Sequence, residues 1–400
     1  HKVFFSQTGN GTTALILSYM SFAIGYIAGP FGAIFFGHIG DRKGRKVTMY
    51  ASLLMMGIST SIIGILPPAA SAGVGVVIVL QLMRLAQCFG RGGTWGGGIL
   101  MAYENVPENK RSFYAAIPQI GLPIGFGLSS ILIAVPTLLL PEDIFFTWGW
   151  RIPFLAAIIL TLIVIRQKGE MMETEDYKKA QAKLEAEEAE GKKHKVGFIP
   201  MVKGYWKTLL LGCGTRWVDG TFYNIFIVWI LSYCINWLGM PLIQTYIITI
   251  IACIFKIPFT LFGGWCAQKL GNTRTFVIGA LASAVLSIPT LKVIELSKGN
   301  LAITIIGIVL GWSIAYNLIW AVISSLWSSY FETEVRYSGI SFVYHVPSFL
   351  VAGMVPTICT LLINYGKGDT IYVGIYSTVV ALISAACALA LKARHDRGEK

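Results

Sequence analysis

The sequence predicts an all-α protein that crosses a membrane many times, and three features of its 400 residues support this prediction. Hydrophobic residues form 55% of the chain and charged residues only 13%, well below the quarter or so that is usual in soluble domains. Apolar runs recur at the length needed to cross a hydrocarbon core of roughly 30 Å as a helix. Basic residues, finally, are concentrated in alternate connections between these runs.

Eleven apolar runs have the composition of membrane-spanning helices, and the fifth is the shortest of them. They cover approximately residues 14–37, 47–66, 73–101, 112–139, 150–166, 206–236, 242–267, 274–294, 301–329, 338–364 and 371–391.

The net charge of +12 lies mainly in connections that are predicted to be cytoplasmic. Basic residues cluster after the first, third, fifth, seventh and ninth runs and at the end of the chain, whereas residues 67–72 have no Lys or Arg. This alternation is typical of a multi-pass protein of the cell membrane, in contact with lipid and with no nucleic acid as partner.

A polar stretch rich in Glu, Lys and Ala, residues 166–195, separates five runs from six. We therefore predict a helical bundle over residues 1–165, a cytoplasmic linker over 166–205 that includes a surface helix or is partly ordered, and a second bundle with a tail over 206–400. The odd number of runs and the start at His1 predict one further membrane helix ahead of this sequence.

The two parts of the chain contain a weak internal repeat. GHIGDRKGRK, residues 37–46, follows the first run, and GWCAQKLGNTR, residues 264–274, follows the seventh. Repeated halves are typical of secondary transporters, in which the binding site lies between the halves near the bilayer midplane.

The first of these loops is predicted to act as a cytoplasmic latch. Glycines there allow close helix packing, and Asp41 can pair with Arg45 or sit at a helix N-terminus. A plain basic anchor for anionic lipid is the alternative, but an anchor requires neither an acid nor spaced glycines. The latch residues are Gly37, Gly40, Asp41, Arg42, Gly44, Arg45 and Lys46.

Ionisable side chains near the middle of a span are costly and normally face a cavity or a partner. Arg91, set among six glycines in FGRGGTWGGG, presents a planar fork of donors suited to a carboxylate, and we predict that it binds an anionic substrate together with Lys256. The glycines themselves are explained by close helix packing.

Asp219 is the predicted proton carrier, because burial favours its neutral form whereas Arg216, three residues earlier, favours the ion. A static buried ion pair is the alternative. Arg84 is predicted to act with an acid on the further helix expected ahead of this sequence, and His345 either relays protons or donates a hydrogen bond. Further candidates for the substrate site, which otherwise serve packing, are Trp95, Gln119, Tyr223, Tyr316 and Asn317.

GHIGDRKGRK and the later Arg84-Leu85-Ala86-Gln87 resemble the loop signature and the Arg-x-x-Gln element of the major facilitator superfamily. Four stretches, GGTWGGGILMAYENVPENKRSFYAA, WGWRIPFL, EMMETEDYKKA and ETEVRYSGISFVYH, resemble its metabolite:proton symporter family, nearest the shikimate transporter branch. The resemblance covers nearly the whole chain. It implies a fold of two six-helix bundles, and eleven of these twelve helices are present in this sequence. It also implies a monomer that imports a small organic acid together with protons and that needs no cofactor or metal.

The chain departs from that family pattern at functional positions. Gly29-Pro30 replaces the usual Arg-Pro, Gly93-Thr94 replaces Gly-Gly-Glu, and Arg91 stands where a small apolar residue is usual. These changes leave a proton-linked exporter or exchanger, or a receptor that does not transport, as alternatives. An enzyme is not indicated, because the sequence has no HExxH motif and no clustered catalytic groups.

Overall fold

The computed structural model describes residues 11–68, 73–167 and 198–399, together with residues 173, 175, 177–179, 181 and 182 of the linker. Within helices, the side chains of residues 11–18, 21, 22, 42, 74, 142 and 198–200 lie outside the description. All regular secondary structure in these ranges is helical.

Each of the eleven predicted runs falls on a helical segment of the described chain. The segments are α1 Gly11–Lys43, α2 Arg45–Ile65, α3 Val74–Glu104, α4 Glu108–Leu139, α5 Gly149–Arg166, α6 198–236, α7 Leu242–Leu270, α8 Asn272–Leu296, α9 Leu301–Ser328, α10 Arg336–Tyr365 and α11 Ile371–Asp396. By length and composition, ten of them within the described residues can cross a membrane, and α3 adds a further helix of 31 residues.

Three of the segments in the second part of the chain contain a π-helical turn. These turns are Ile225–Trp229 in α6, Val309–Ala315 in α9 and Phe349–Gly353 in α10. Such turns disturb the regular hydrogen bonding and are frequent at functional sites. The α6 helix also begins earlier than predicted, at Phe198 and not near 206, and its backbone departs from helical geometry at Tyr205.

The glycines around Arg91 allow α1 and α3 to pack backbone against backbone. A Cβ atom added to Gly92 would lie 2.4 Å from the Ala33 nitrogen, and one added to Gly32 would lie 2.0 Å from the Phe89 carbonyl oxygen. No side chain larger than hydrogen fits at either position, so these glycines serve close packing, as the sequence predicts.

The helices form two sets that meet along two seams. In the first set, α1 and α2 pack on α3, and α5 packs on α2; in the second, α11 packs on α6 and α8, and α9 packs on α7 and α8. Contacts between the sets run from α4 to α7 and from α1 to α10. The space between the two sets is where a cavity can be lined by both parts of the chain.

Candidate functional site

A cavity of about 620 Å³ lies between the two sets of helices, within the size range of small-molecule sites. Its charged lining residues are Arg91 from α3 and Arg216 and Asp219 from α6. Two cations against one carboxylate leave a net positive charge, so the cavity favours an anion.

Arg91 has no carboxylate partner within the described ranges. Its guanidinium carbon lies 4.5 Å from the centroid of the Tyr26 ring, and Nη2 lies 3.6 Å from Cys88 Sγ. Its Nε atom is buried and has no hydrogen-bond acceptor there. An arginine held by an aromatic ring and a sulfur keeps donors available for a substrate carboxylate.

Asp219 is held from two sides. Arg216 Nη1 donates to Oδ2, and the Tyr316 hydroxyl donates to Oδ1 from α9. Arg216 also donates from Nε to the Tyr344 carbonyl oxygen at 3.4 Å, with its guanidinium over the Tyr344 ring. The carboxylate therefore connects a cation on its own helix with a phenol from another helix, and it faces the cavity.

The rest of the lining provides an aromatic face and two unpaired polar atoms. Trp95 stacks on Tyr344 with ring centroids 4.1 Å apart. In the described chain, Trp95 Nε1 has no acceptor and Asn224 Oδ1 has no donor, although Asn224 Nδ2 donates to the Gly220 carbonyl oxygen. Buried polar groups normally have partners, so this donor and this acceptor are suited to substrate hydroxyl groups.

Comparison with known proteins decides the family of the chain. The sequence model described as Major Facilitator Superfamily matches residues 5–356. The chain belongs to this superfamily. It is therefore a membrane transporter of the cell membrane and not an enzyme.

Two curated relatives are similar to this facilitator over nearly its whole length. The inner membrane metabolite transport protein YhjE of Escherichia coli is 34% identical over 98% of this chain and 88% of the relative. The shikimate transporter of Escherichia coli is 30% identical over 98% and 88%. A structure of the proton:xylose symporter XylE bound to 6-bromo-6-deoxy-D-glucose matches with a TM-score of 0.75 at 17% identity, covering 97% of this chain and 88% of the other, which shows the shared facilitator fold.

Several predicted residues line the facilitator cavity. Arg91, Trp95, Gln119, Arg216, Asp219 and Tyr223 all do so. The side-chain amide of Gln119 is already hydrogen-bonded, because its Nε2 donates to the Trp320 carbonyl oxygen at 3.2 Å. In return, Trp320 Nε1 donates to the Gln119 carbonyl oxygen at 3.1 Å. This reciprocal pair joins α4 to α9 and closes one side of the cavity.

Lys256 is not among the residues that line the cavity. It is fully buried, and its Nζ donates to Asn317 Oδ1 at 2.9 Å. The ammonium also lies 4.3 Å from the centroid of the Tyr316 ring and 4.5 Å from that of Trp312. Lys256, Tyr316 and Asn317 thus form the wall behind Asp219, so the structure does not bring Lys256 to Arg91.

His345 and Arg84 also lie outside the central lining. His345 is buried against Gly29, where an added Cβ would be 3.3 Å from Nδ1. Arg84 lines a smaller cavity of about 250 Å³ shared with Gln87 and Arg91, and no acidic residue lines this cavity within the described chain.

The segment around the turn between α1 and α2, predicted to be cytoplasmic, joins the first part of the chain to α10. Asp41 pairs with Arg45 at 3.2 Å and accepts hydrogen bonds from Ser338 Oγ at 2.5 Å and Ser338 N at 3.2 Å. Glu104 on α3 accepts from Arg336 on α10 at 3.1 Å. These contacts cross between the two sets of helices, as a latch requires.

The anion at the N-terminus of α2 is Glu173 of the linker and not Asp41. Glu173 accepts from the backbone nitrogens of Arg45 at 3.0 Å and Lys46 at 3.2 Å. Gly44, with φ of 102°, makes the turn between α1 and α2, and a Cβ there would lie 2.0 Å from Glu173 Oε2. The Arg42 side chain lies outside the described residues.

The other predicted latch glycines are in close contact with α10. A Cβ added to Gly40 would lie 2.8 Å from the Tyr337 ring, and one added to Gly37 would lie 3.1 Å from Ser338. The Tyr337 hydroxyl reaches further and donates to the Gly93 carbonyl oxygen on α3. Ser338 and Tyr337 are not among the residues predicted from the sequence, although both lie in ETEVRYSGISFVYH.

Proposed function

We propose that this facilitator is a proton-coupled symporter that imports a small hydroxylated organic acid anion, similar to shikimate, by alternating access. The supporting observation is that one cavity between the two sets of helices brings together Arg91, Arg216 and Asp219. Residues 1–165 and 206–400 would form the two rocking bundles, with 166–205 as the linker. The similarity to a shikimate transporter supports this choice of substrate class.

In this proposal Arg91 binds the substrate carboxylate through its fork of donors. Arg216 is less available, because it already pairs with Asp219. Trp95 and Asn224 offer a donor and an acceptor to hydroxyl groups on the substrate ring. The stacked faces of Trp95 and Tyr344 supply the apolar surface that such a ring needs.

In this proposal, the coupling of proton and substrate follows from the ion pair between Arg216 and Asp219. When Asp219 takes up a proton, Arg216 loses its ionic partner and the cavity gains a second uncompensated cation. Anion binding is then strengthened by protonation, and by linkage protonation is strengthened by the anion. The proton and the substrate therefore move together.

An exchanger is the second candidate, and Thr94 is the observation that favours it. Thr94 lines the cavity, and its hydroxyl donates to the Arg91 carbonyl oxygen at 3.2 Å. The resembled family has a carboxylate at this position, so this chain lacks one titratable group. An exchanger would move substrate against substrate without responding to a proton gradient.

Uptake of labelled shikimate into proteoliposomes, with an imposed pH gradient that is acidic outside, tests the proposal. If the protein is a symporter, uptake by the native chain depends on the pH gradient. The Asp219→Asn variant should then keep counterflow but lose the response to the gradient. Counterflow without a gradient response in the native chain would instead identify an exchanger. Binding without any flux would identify a receptor, and gradient-driven uptake that survives Asp219→Asn would remove Asp219 from the mechanism.

A further inference from the structure

A second cavity, here called the cytoplasmic groove, opens between the start of α4 and the end of α7. Its volume is about 300 Å³, and it shares no lining residue with the central cavity. The residues that line it are Lys110, Phe113, Tyr114, Trp265, Gln268 and Lys269.

The two walls of the groove come from opposite parts of the chain. At its base α4 and α7 approach closely, since a Cβ added to Gly264 would lie 2.7 Å from Ala116 Cβ and 3.4 Å from Phe113 Cα. The groove therefore lies on a seam that must change when the two bundles rock. Anything bound there contacts both bundles at once.

The described residues that line the groove include two cations and no acid. Lys110 and Lys269 are both exposed, one on each wall, and neither forms an ion pair within the described part of the chain. Glu108 is close to Lys110 in sequence, but it pairs with Arg111 at 3.7 Å. Two unneutralised ammonium groups at one groove favour a bound anion.

The aromatic residues place this groove at the level of lipid headgroups. Trp265 is 51% exposed and Tyr114 38% exposed. Trp265 stacks with the exposed Phe262 at 5.9 Å, and the Lys269 ammonium lies 5.9 Å from the centroid of the Trp265 ring. Exposed Trp and Tyr beside Lys are typical of the boundary between acyl chains and headgroups.

We propose that the cytoplasmic groove binds the phosphate of an anionic phospholipid, held between Lys110 and Lys269, with its acyl chains along Trp265 and Phe262. Basic pockets between membrane helices on the cytoplasmic side bind such headgroups. A free phosphate would satisfy the lysines but would leave the exposed aromatic surface without a partner. The lipid therefore fits the whole groove, whereas a soluble anion fits only its charge.

A bound lipid would hold the cytoplasmic ends of α4 and α7 together. This is the same side of the protein on which Asp41 and Ser338 join α1 to α10. The lipid thus stabilises the conformation that is closed to the cytoplasm, at a seam that the latch does not cover.

The test is lipid binding to the delipidated protein in detergent, measured by native mass spectrometry and by melting temperature. The probes are phosphatidylglycerol, phosphatidylcholine and glycerol phosphate. The variant is Lys110→Gln/Lys269→Gln, and the matched control is Lys207→Gln. Lys207 is also an exposed lysine beside a tryptophan, with its ammonium 5.4 Å from the Trp206 ring, but it lies outside the groove. Lys110→Arg/Lys269→Arg keeps both charges.

We expect phosphatidylglycerol to bind and raise the melting temperature of the native chain, the Lys207→Gln control and the arginine variant. In the glutamine variant its affinity should fall about thirtyfold, in line with the loss of two basic contacts near the surface. Equal phosphatidylglycerol binding in the glutamine variant would overturn the site. Equal protection by glycerol phosphate, or by phosphatidylcholine, would overturn its assignment to an anionic lipid.

Discussion

Arg91 is the cavity cation whose donors are not taken up by a carboxylate in the described chain, whereas Arg216 is paired with Asp219. On the basis of this difference, we propose that an incoming anion first contacts Arg91. Hydrogen bonds to charged groups contribute about 1.5–3 kcal/mol each, so one good contact changes affinity about tenfold or more.

Replacing Arg91 by Gln should therefore weaken binding of shikimate about tenfold or more, because the charge-assisted contact is lost. Lys256→Gln is the control at a similar depth, since Lys256 Nζ bonds Asn317 and does not line the cavity. Calorimetric titration of both folded variants measures the effect. Unchanged affinity in Arg91→Gln, or an equal loss in Lys256→Gln, would contradict the assignment.

Asn224 should determine discrimination in favour of hydroxylated acids. Its Oδ1 atom is buried without a donor, and Leu has nearly the same shape but cannot accept a hydrogen bond. Asn224→Leu should weaken shikimate several-fold and leave a cyclohexene carboxylate without hydroxyls unchanged. Competition against labelled shikimate gives both affinities, and a parallel loss for the two acids would show a general defect of the site.

For single residues, the sequence indicates the position along a span but not the direction in which the side chain points. Arg91 and Asp219 are predicted to lie near the middle of their spans, and both line the cavity. Lys256 lies in the wall behind Asp219 and not in the cavity lining, because the rotation of α7 about its axis depends on how it packs against α9, which no pattern within one helix specifies. Asn224 was missed because an amide beside Tyr223 gives no signal in sequence, and only its unpaired oxygen reveals it.

Among the elements, α3 carries both a charged residue of the site and close backbone packing against α1. Arg91 projects towards the cavity, while Gly92, next to it, presents its backbone to α1. This alternation explains why an arginine is surrounded by glycines. The charged side chain needs space on one face, and the helix needs close contact on another.

Gly92→Ala should lower the melting temperature by several degrees, because the new Cβ would lie 2.4 Å from the Ala33 nitrogen and α1 would have to move. Overpacking of this kind costs about 1–3 kcal/mol. Gly98→Ala on the same helix is the matched control, since no atom lies within 4 Å of the added Cβ. Equal melting temperatures for the two variants would contradict the described contact between α1 and α3.

The membrane spans were predictable because the length of an apolar run is a local property of the sequence. All eleven runs fall on helical segments, and the largest error is the start of α6 at Phe198. The π-helical turns were not predictable, since the turn at Val309–Ala315 has the same apolar composition as regular helix. They arise where tertiary packing shifts the backbone hydrogen bonds, which composition does not record.

At the scale of the whole molecule, the proposed latch would set which side of the central cavity is closed. Hydrogen bonds from Ser338 to Asp41 and from Arg336 to Glu104 link the two sets of helices on the side predicted to be cytoplasmic. The sequence predicted that Asp41 pairs with Arg45 or sits at a helix N-terminus. Its second partner, Ser338, is 297 residues away, so only the folded chain could show it.

Asp41→Asn should shift the protein towards a cytoplasm-open conformation, because the amide cannot hold both Arg45 and Ser338 as the carboxylate does. Spin labels at the exposed positions Lys43 and Gln268 would report longer and broader distances by double electron-electron resonance. Glu108→Gln is the control, since Glu108 is exposed and pairs only with Arg111 among described partners. An unchanged distance distribution in Asp41→Asn would argue against the latch.

The most direct measurement of the central claim is the number of protons taken up when shikimate binds, obtained by calorimetry in buffers of different ionisation enthalpy. If Asp219 and the anion share the cavity as proposed, binding near neutral pH takes up close to one proton in the native chain and essentially none in Asp219→Asn. Binding without proton uptake in the native chain, or with the same uptake in Asp219→Asn, would contradict the coupling of proton and substrate at this site.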